Sequence, residues 1–215
     1  MVLKFYSFSS PTAGCGAVAL TLLEKRVPFE VIHVDMADIK TPEYLAKHPW
    51  GQVPMIDDDG FILYESRAIC RYLAEKYADQ GTPLIPTGLT AKARFEQAAS
   101  IELANFWPLV RRITIEAVYN PRRNLPVDEA ALAQARSELP AKLDVYEVIL
   151  GTQKYLGGNE ITLADLFHLW FAPPLNRAGH DVMLNRGPNV TRWWNDISSR
   201  PSWVKLQAEG IKSVS

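Results

Sequence analysis

The chain has 215 residues, of which 47% are hydrophobic and 22% charged, and its formal net charge is −1. A chain of this length forms one large domain or two small ones, each with its own core. The near-zero charge excludes a basic surface for nucleic acid, and the sequence lacks the run of about 18 apolar residues that a membrane span needs.

The first ten residues, MVLKFYSFSS, lack the long apolar core of a secretory signal peptide. The two cysteines, Cys15 and Cys70, are too few for a disulfide framework and do not form a CxxC pair. These features predict a protein of a reducing compartment, in the cytoplasm, with neither nucleic acid nor membrane as a partner.

The N-terminal part of the chain alternates between strand-like and helix-like segments. Short apolar runs bounded by turn residues predict strands, and apolar side chains at helical spacing predict helices. The order βαβαββα combines a parallel pair of strands with an antiparallel hairpin, so the fold class here is α/β. In chain order the predicted segments are 2–8, 16–25, 29–36, 41–48, 53–57 with 61–65, and 66–78.

The segment DQGTPLIPTG, residues 79–88, is rich in glycine and proline, as linkers are. After it the periodicity is helical and no convincing strand remains. We therefore predict an α/β domain over residues 1–80, a linker over 81–88 and an all-helical domain over 89–215. Helices of this second domain are predicted at 90–118, 128–149, 162–171 and 188–208.

Thr162 precedes Asp165 by three residues at the start of an apolar run. This spacing predicts a capping box with aspartate in the acidic position, at the start of a buried central helix.

The segment GQVP, residues 51–54, ends in a valine–proline bond. Such bonds adopt the cis form at modest cost. A cis Val53–Pro54 bond would turn the N–H and C=O of Val53 outward, where they could pair with an extended peptide. The alternative is a trans proline that opens an edge strand.

Glu65 and Ser66 stand at the start of a predicted helix. The free N–H groups and positive end of a helix can hold a carboxylate, to which Ser66 can donate, while Glu65 can accept from an ammonium. The pair fits the α-amino acid end of a ligand. Alternatively, Ser66 is an N-cap and Glu65 a favourable charge.

The segment SFSSPTAGCGAV, residues 7–18, joins the first strand to the first helix. Ligands of open α/β sheets bind beyond the carboxyl ends of the strands. A thiol placed there would meet helix N–H groups and a hydroxyl, both of which lower a thiol pKa. The three segments together describe a thioredoxin-like domain that binds a peptide with an amino-acid head and a central thiol.

The segments HPWGQVP, ESRAICRYLAEKY and YLGGNEITLADL occur in this order, and nearly the whole chain resembles the phi-class glutathione transferases of plants and fungi. The resemblance implies a glutathione-binding thioredoxin-like domain, an all-helical domain that shapes the electrophile pocket, and a homodimer. It also implies glutathione as co-substrate, small hydrophobic electrophiles as partners, and no metal.

The resemblance assigns the backbone of glutathione to Gln52, Val53 and Pro54, and its γ-glutamyl end to Glu65 and Ser66. Lys40 corresponds to a family lysine that neutralises the glycyl carboxylate. Alternatively, Lys40 is a solvated surface charge before a helix. Ile39 stands where relatives often have a histidine, which would weaken that contact. Trp50 takes the aromatic position that contacts the partner subunit in the family.

The family's activating serine lies six residues before an apolar helix position, here Val18, which gives Thr12 as the activating hydroxyl. Ser10 is the alternative. Cys15 would make a different enzyme, one that reduces mixed disulfides through its own sulfur. Cys15 is offset from the position at which family members have their cysteine. We expect it to be a semi-buried helix residue that packs as a small hydrophobe.

The expected reaction is attack of the glutathione thiolate on an electrophilic carbon, with hydroperoxide reduction as a side activity. The apolar pocket is expected to involve Pro11, Phe106, Trp107, Tyr119 and Phe171, although aromatic residues at helical spacing also pack cores. The alternative function is non-catalytic binding of glutathione and hydrophobic ligands. A third possible function is that of a transferase-like module of a translation elongation factor. It is less favoured because the phi-like segments are intact.

Overall fold

The structure, a computed structural model, describes residues 2–9, 13–177, 179, 183 and 185–214. The chain divides into two compact units, Met1–Ile85 with Arg200–Ser215, and Pro86–Ser199. The sequence-based boundary placed residues 200–215 in the helical domain, whereas in the structure they group with the α/β unit. No helix in the described ranges is both long and apolar enough to cross a membrane.

The first unit has the predicted element order βαβαββα. The elements are β1 (Leu3–Ser7), α1 (Ala13–Glu24), β2 (Phe29–His33), α2 (Pro42–Lys47), β3 (Met55–Asp58), β4 (Phe61–Tyr64) and α3 (Ser66–Lys76). The sheet has the order β2-β1-β3-β4, in which β1 pairs in parallel with β2 while β3 runs antiparallel to both β1 and β4. The predicted parallel pair and hairpin are therefore confirmed.

An ion pair joins the β3–β4 hairpin to α3. The Asp58 carboxylate accepts hydrogen bonds from the Tyr72 hydroxyl at 2.6 Å and from the Lys76 ammonium. Burial opposes ionisation of Asp58, but the bonds from Lys76 and Tyr72 outweigh it, so that the pKa of this carboxyl lies below its ordinary value. Its ionised form therefore stabilises the folded state.

We expect Asp58→Asn to lower the free energy of unfolding by about 2 kcal/mol at neutral pH, since the variant loses a charge-assisted bond at a buried position. A lowered carboxyl pKa stabilises the fold above the ordinary pKa and ceases to do so as the pH falls through the lowered value. Urea unfolding of both proteins should therefore show a difference that shrinks below about pH 4. Asp59→Asn, at the exposed neighbouring position, is the control and should leave stability nearly unchanged.

The second unit is helical in its described residues. In place of the predicted helix over 162–171, the structure has one helical turn, α8 (Leu163–Leu166), followed by a 3₁₀ turn over Leu169–Phe171. The helices are α4 (Leu89–Ile101), α5 (Trp107–Thr114), α6 (Asn120–Arg122), α7 (Glu129–Leu150), α8 (Leu163–Leu166), α9 (Ala172–Arg177) and α10 (Pro188–Ser198).

Two π-helical turns interrupt the predicted helix over 90–118 and its continuation, at Glu102–Phe106 and Ile115–Tyr119. Each turn ends two residues before a proline, Pro108 or Pro121. Proline lacks an N–H and crowds the carbonyl one turn earlier, so the helix widens ahead of it. Pro108 thus interrupts the helix through a π turn rather than ending it.

The capping box predicted from Thr162 and Asp165 is confirmed. The buried Asp165 carboxylate accepts hydrogen bonds at 2.9–3.0 Å from four donors. Burial raises the pKa of Asp165, and the four bonds oppose that rise. The carboxylate thereby joins α8 to the preceding turn and to α10. The donors are the N–H of Leu156, the N–H and hydroxyl of Thr162, and the indole N–H of Trp193.

The C-terminal segment completes the first unit. The predicted helix over 188–208 is two helices, because Pro201 begins α11 (Pro201–Glu209) after Arg200, whose backbone is extended. The Arg200 guanidinium donates two bonds to the buried carboxylate of Glu24 at the end of α1, at 2.6 and 2.7 Å. Val214 pairs with Phe29 and covers the edge of β2.

Candidate functional site

Three segments of the first unit meet at the start of α1. A β-carbon built on Gly14 would lie 3.1 Å from Cδ of Pro54 and 3.4 Å from Oγ of Ser66. The beginning of α1, the segment before β3 and the beginning of α3 therefore lie side by side. The structure thus brings together Pro54 and Ser66, which the sequence analysis assigned to one ligand.

The segment before β3 is held by two hydrogen bonds. The Val53–Pro54 peptide bond is cis, one of the two alternatives considered above. The Tyr44 hydroxyl donates to the Gln52 carbonyl at 2.7 Å, and the Lys40 ammonium donates to the Gly51 carbonyl at 3.2 Å. Lys40 is therefore located beside the segment that carries Gln52 and Val53, and its side chain remains exposed.

Position 51 has a backbone conformation and a close contact that only glycine accommodates. Its φ is +54°, and a β-carbon there would lie 2.6 Å from the carbonyl oxygen of Ile39. Ile39 itself is buried in an apolar cluster with Tyr44 and Met55. The side chain at the position where relatives often have histidine is thus apolar and turned into the interior.

The beginning of α3 presents backbone N–H groups and the positive end of the helix dipole. Glu65 precedes it with φ 71° and, among the described residues, makes no side-chain capping bond, and the first turn contains no acidic residue. A left-handed backbone at a non-glycine residue costs about 1–3 kcal/mol, and such residues are enriched at active sites and ligand-binding segments. Glu65 is exposed and Ser66 half-buried, so both can meet a ligand. This geometry suits a carboxylate near Ser66 and an ammonium near Glu65.

His48 and Gly14 lie in or beside this region and were missed by the sequence analysis. The His48 ring is buried and stacks on Tyr64 with 4.3 Å between centroids, and its Nδ1 has no partner among the described residues. Burial lowers the pKa of His48, with the Glu65 charge opposing, so the ring is neutral at physiological pH. The two glycines of GCGA were the available signal for Gly14, since a glycine in a first helical turn indicates close approach.

The predicted activating residues, Thr12 and Ser10, and the predicted pocket residue Pro11 lie outside the described residues. Cys15 is a residue of α1, as expected, and is fully buried rather than semi-buried. Cys70 is also buried, which raises its pKa to about 12. Burial of both sulfurs argues against a cysteine nucleophile.

The four aromatic residues predicted for the apolar pocket differ in burial. Phe106 and Phe171 are 1% and 4% exposed, with 6.1 Å between ring centroids, and Trp107 packs on Phe171 at 4.6 Å. This favours a core role for the two phenylalanines. Trp107 is half-buried and Tyr119 is 37% exposed, so these two can contact a ligand.

Trp50, predicted to contact a partner subunit, is 69% exposed in this single chain. Among the described residues, no three histidine, cysteine or acidic side chains are grouped as a metal site would need.

Comparisons with known proteins agree with the geometry. The family model of the glutathione S-transferase N-terminal domain matches residues 9–81, and that of the C-terminal domain matches residues 106–201. The glutathione S-transferase hmp2 of Hypomyces subiculosus is 44% identical over 97% of this chain and 99% of its own length. Glutathione S-transferase F11 of Arabidopsis thaliana is 41% identical over 96% and 97%.

Solved structures give the same result. Glutathione transferase F2 from Populus trichocarpa superposes with a TM-score of 0.89 at 40% identity, over 96% of this chain and 97% of that one. Glutathione S-transferase I from maize, in complex with an atrazine–glutathione conjugate, superposes with a TM-score of 0.88 at 28% identity, over 97% of both chains. Similarity of this kind extends across both units of the chain.

Proposed function

Because this chain belongs to the glutathione S-transferase family, with phi-class relatives, we propose that it binds glutathione in its first unit and transfers the glutathione sulfur to electrophilic substrates. The observation that carries the proposal is the meeting of Gly14, Pro54 and Ser66 at the beginning of α3, which the Glu65 side chain does not cap. The maize relative with a bound glutathione conjugate supports the same class of reaction.

In the proposed complex, glutathione lies extended beside the segment before β3. The backbone of Val53 pairs with the tripeptide as an added strand would, with Gln52 and Pro54 on either side. Ser66 and the first N–H groups of α3 hold the γ-glutamyl carboxylate, while Glu65 accepts from the ammonium. Lys40, exposed beside Gly51, neutralises the glycyl carboxylate. The thiol then lies near the start of α1.

The proposed chemistry is a nucleophilic substitution. The glutathione thiol loses its proton to water, the thiolate forms a carbon–sulfur bond, and the leaving group departs with its electron pair. A helix N-terminus and one hydroxyl each favour the thiolate, and each pK unit gained corresponds to about 1.4 kcal/mol. We assign the hydroxyl to Thr12, with Ser10 as the alternative, and assign contacts with the apolar substrate to Trp107 and Tyr119.

Three finer properties belong to the proposal. We assign a peroxidase side activity, in which two glutathione molecules reduce a hydroperoxide to an alcohol and water and form glutathione disulfide. We assign a homodimer, supported by the 69% exposure of Trp50. We also assign the protein to the cytoplasm, where glutathione is abundant and thiols stay reduced.

The test combines binding with turnover. We expect retention on immobilised glutathione, conjugation of a chloronitrobenzene and reduction of an organic hydroperoxide. Thr12→Ala should lower turnover by about 10²-fold, as loss of one thiolate-stabilising donor does, while retention on glutathione persists. Cys15→Ala should keep full turnover, because its sulfur is buried.

The outcomes distinguish the alternatives. Loss of turnover in Ser10→Ala instead would transfer the role to Ser10. Binding of glutathione by the unmodified protein without either reaction would contradict catalysis and leave a non-catalytic carrier of glutathione and hydrophobic ligands.

A further inference from the structure

The ring of His48 lies at the centre of a column of aromatic rings in the first unit. It stacks on Tyr64 with 4.3 Å between centroids and 18° between planes, and on Tyr44 with 6.2 Å and 19°. The Tyr44 hydroxyl donates to the Gln52 carbonyl, and Tyr64 directly precedes Glu65. The column therefore connects the two segments that the proposed function assigns to different parts of glutathione.

We propose that His48 is a positioning residue for glutathione: through Tyr64, its ring fixes Glu65 in the orientation that accepts the γ-glutamyl ammonium. This inference rests on the proposed function and adds to it the residue that sets the preference for a free amino group on the ligand. His48 acts through its neighbours, since only 2% of the residue is exposed.

The backbone of Glu65 requires such support. Its φ of 71° is unfavourable for a non-glycine residue, and a conformation of this kind persists only where the surrounding structure fixes it. On the C-terminal side, the Glu65 carbonyl accepts from the Ile69 N–H at 2.9 Å. On the N-terminal side, Tyr64 pairs with Met55 in the β3–β4 ladder, and its ring is stacked on His48. Removing the His48 ring therefore loosens one of the two sides that fix Glu65.

The Glu65 side chain depends on this backbone for its direction. It is exposed, makes no capping bond to α3, and has no ion-pair partner among the residues that the structure describes. Its carboxylate is thus available to the ammonium of a ligand. The contact forms at full strength only if the carboxylate already points toward the ligand, because the cost of ordering it is then not paid on binding.

His48 contributes a flat, uncharged ring. Its Nδ1 has no partner among the described residues, and burial keeps the pKa of the ring low enough for it to be neutral at physiological pH. A protonated ring near Glu65 would compete with the ligand ammonium for the same carboxylate. The backbone N–H and C=O of His48 bond to Tyr44 and Gly51 without involving the side chain. Phenylalanine should therefore replace His48 in this role, whereas alanine should not.

The test compares glutathione with glutaryl-cysteinylglycine, an analogue that lacks only the amino group. The ratio of their dissociation constants, measured by isothermal titration calorimetry, reports the contact between Glu65 and the ammonium. We expect the unmodified protein to prefer glutathione by about ten-fold or more, as a charge-assisted hydrogen bond implies. The preference should fall to about three-fold or less in His48→Ala and persist in His48→Phe, because a phenyl ring preserves the stack.

Two further comparisons separate positioning from a general loss of structure. Glu65→Gln should by itself reduce the preference as far as His48→Ala does, and the double variant should reduce it no further, since both changes remove the same contact. His33→Ala, at the exposed end of β2, is the matched control and should leave both dissociation constants unchanged. Urea unfolding of each variant establishes that it is folded under the conditions of the binding measurement.

The outcomes identify which claim fails. An unmodified protein that does not bind glutathione would contradict the proposed function itself. Glutathione binding without a preference over the analogue, or with a preference that His48→Ala retains, would overturn the role of His48 while glutathione binding stands. The same conclusion would follow if His48→Phe lost the preference to the same extent as His48→Ala.

Discussion

Ser66→Ala is expected to weaken glutathione binding by about 10- to 100-fold. Ser66 begins α3 beside Gly14 and Pro54, where its hydroxyl is placed to donate to the γ-glutamyl carboxylate. A hydrogen bond to a charged group contributes about 1.5–3 kcal/mol, and each 1.4 kcal/mol is a ten-fold change in affinity. Isothermal titration calorimetry with glutathione measures the change directly.

Two further variants separate this contact from a general loss of structure. Ser66→Thr keeps the hydroxyl and should recover most of the affinity. Ser100→Ala, at an exposed position of α4, should bind glutathione as the unmodified protein does. An affinity of Ser66→Ala within two-fold of the unmodified protein would refute the assigned contact.

Asp165→Ala is expected to lower the free energy of unfolding by about 4 kcal/mol or more. Four donors lose their acceptor in this variant. Three of them make no other hydrogen bond described above: the backbone N–H of Leu156, the backbone N–H of Thr162 and the indole N–H of Trp193. Each buried polar group left without a partner costs about 1–3 kcal/mol. Urea unfolding followed by tryptophan fluorescence and by circular dichroism provides the measurement.

The control for this change is Asp144→Ala on α7. Asp144 is exposed, and alanine is the better helix former, so the variant should be as stable as the unmodified protein. Trp193→Phe removes one of the four donors and should cause an intermediate loss. If Asp165→Ala unfolds at the same urea concentration as Asp144→Ala, the carboxylate does not organise the second unit.

Local signals were sufficient to predict the elements of the first unit. The β3–β4 hairpin follows from the DDG turn between two apolar runs. α2 follows from Thr41 before Pro42, and the Thr41 hydroxyl accepts a hydrogen bond from the Tyr44 N–H at the start of that helix. The capping box at Thr162 and Asp165 is equally local. Each of these features depends on residues within a few positions of one another.

Features that depend on distant residues were missed. The grouping of residues 200–215 with the first unit rests on Arg200 meeting Glu24, a pair 176 positions apart, and on Val214 pairing with Phe29. Sequence periodicity contains no information on such pairs. The π turns were missed for a different reason, since proline predicts an interruption in a helix without specifying its form.

In the candidate site too, features set by neighbouring residues were predicted and features set by distant residues were missed. Pro54 and Ser66 were assigned to one ligand through separate local motifs and a family resemblance, and the structure places them together beside Gly14. The approach of Gly14 and the burial of His48 depend on packing between segments, which no single motif encodes. Thr12 and Ser10 stay predictions, tested by the turnover of their variants.

A crystal structure of the protein with bound glutathione tests the proposed site most directly. We predict an extended tripeptide beside Val53, with its γ-glutamyl carboxylate about 3 Å from Oγ of Ser66 and its sulfur at the beginning of α1. A tripeptide bound elsewhere on the chain, or an empty site beside Ser66 at a saturating concentration of glutathione, would contradict it.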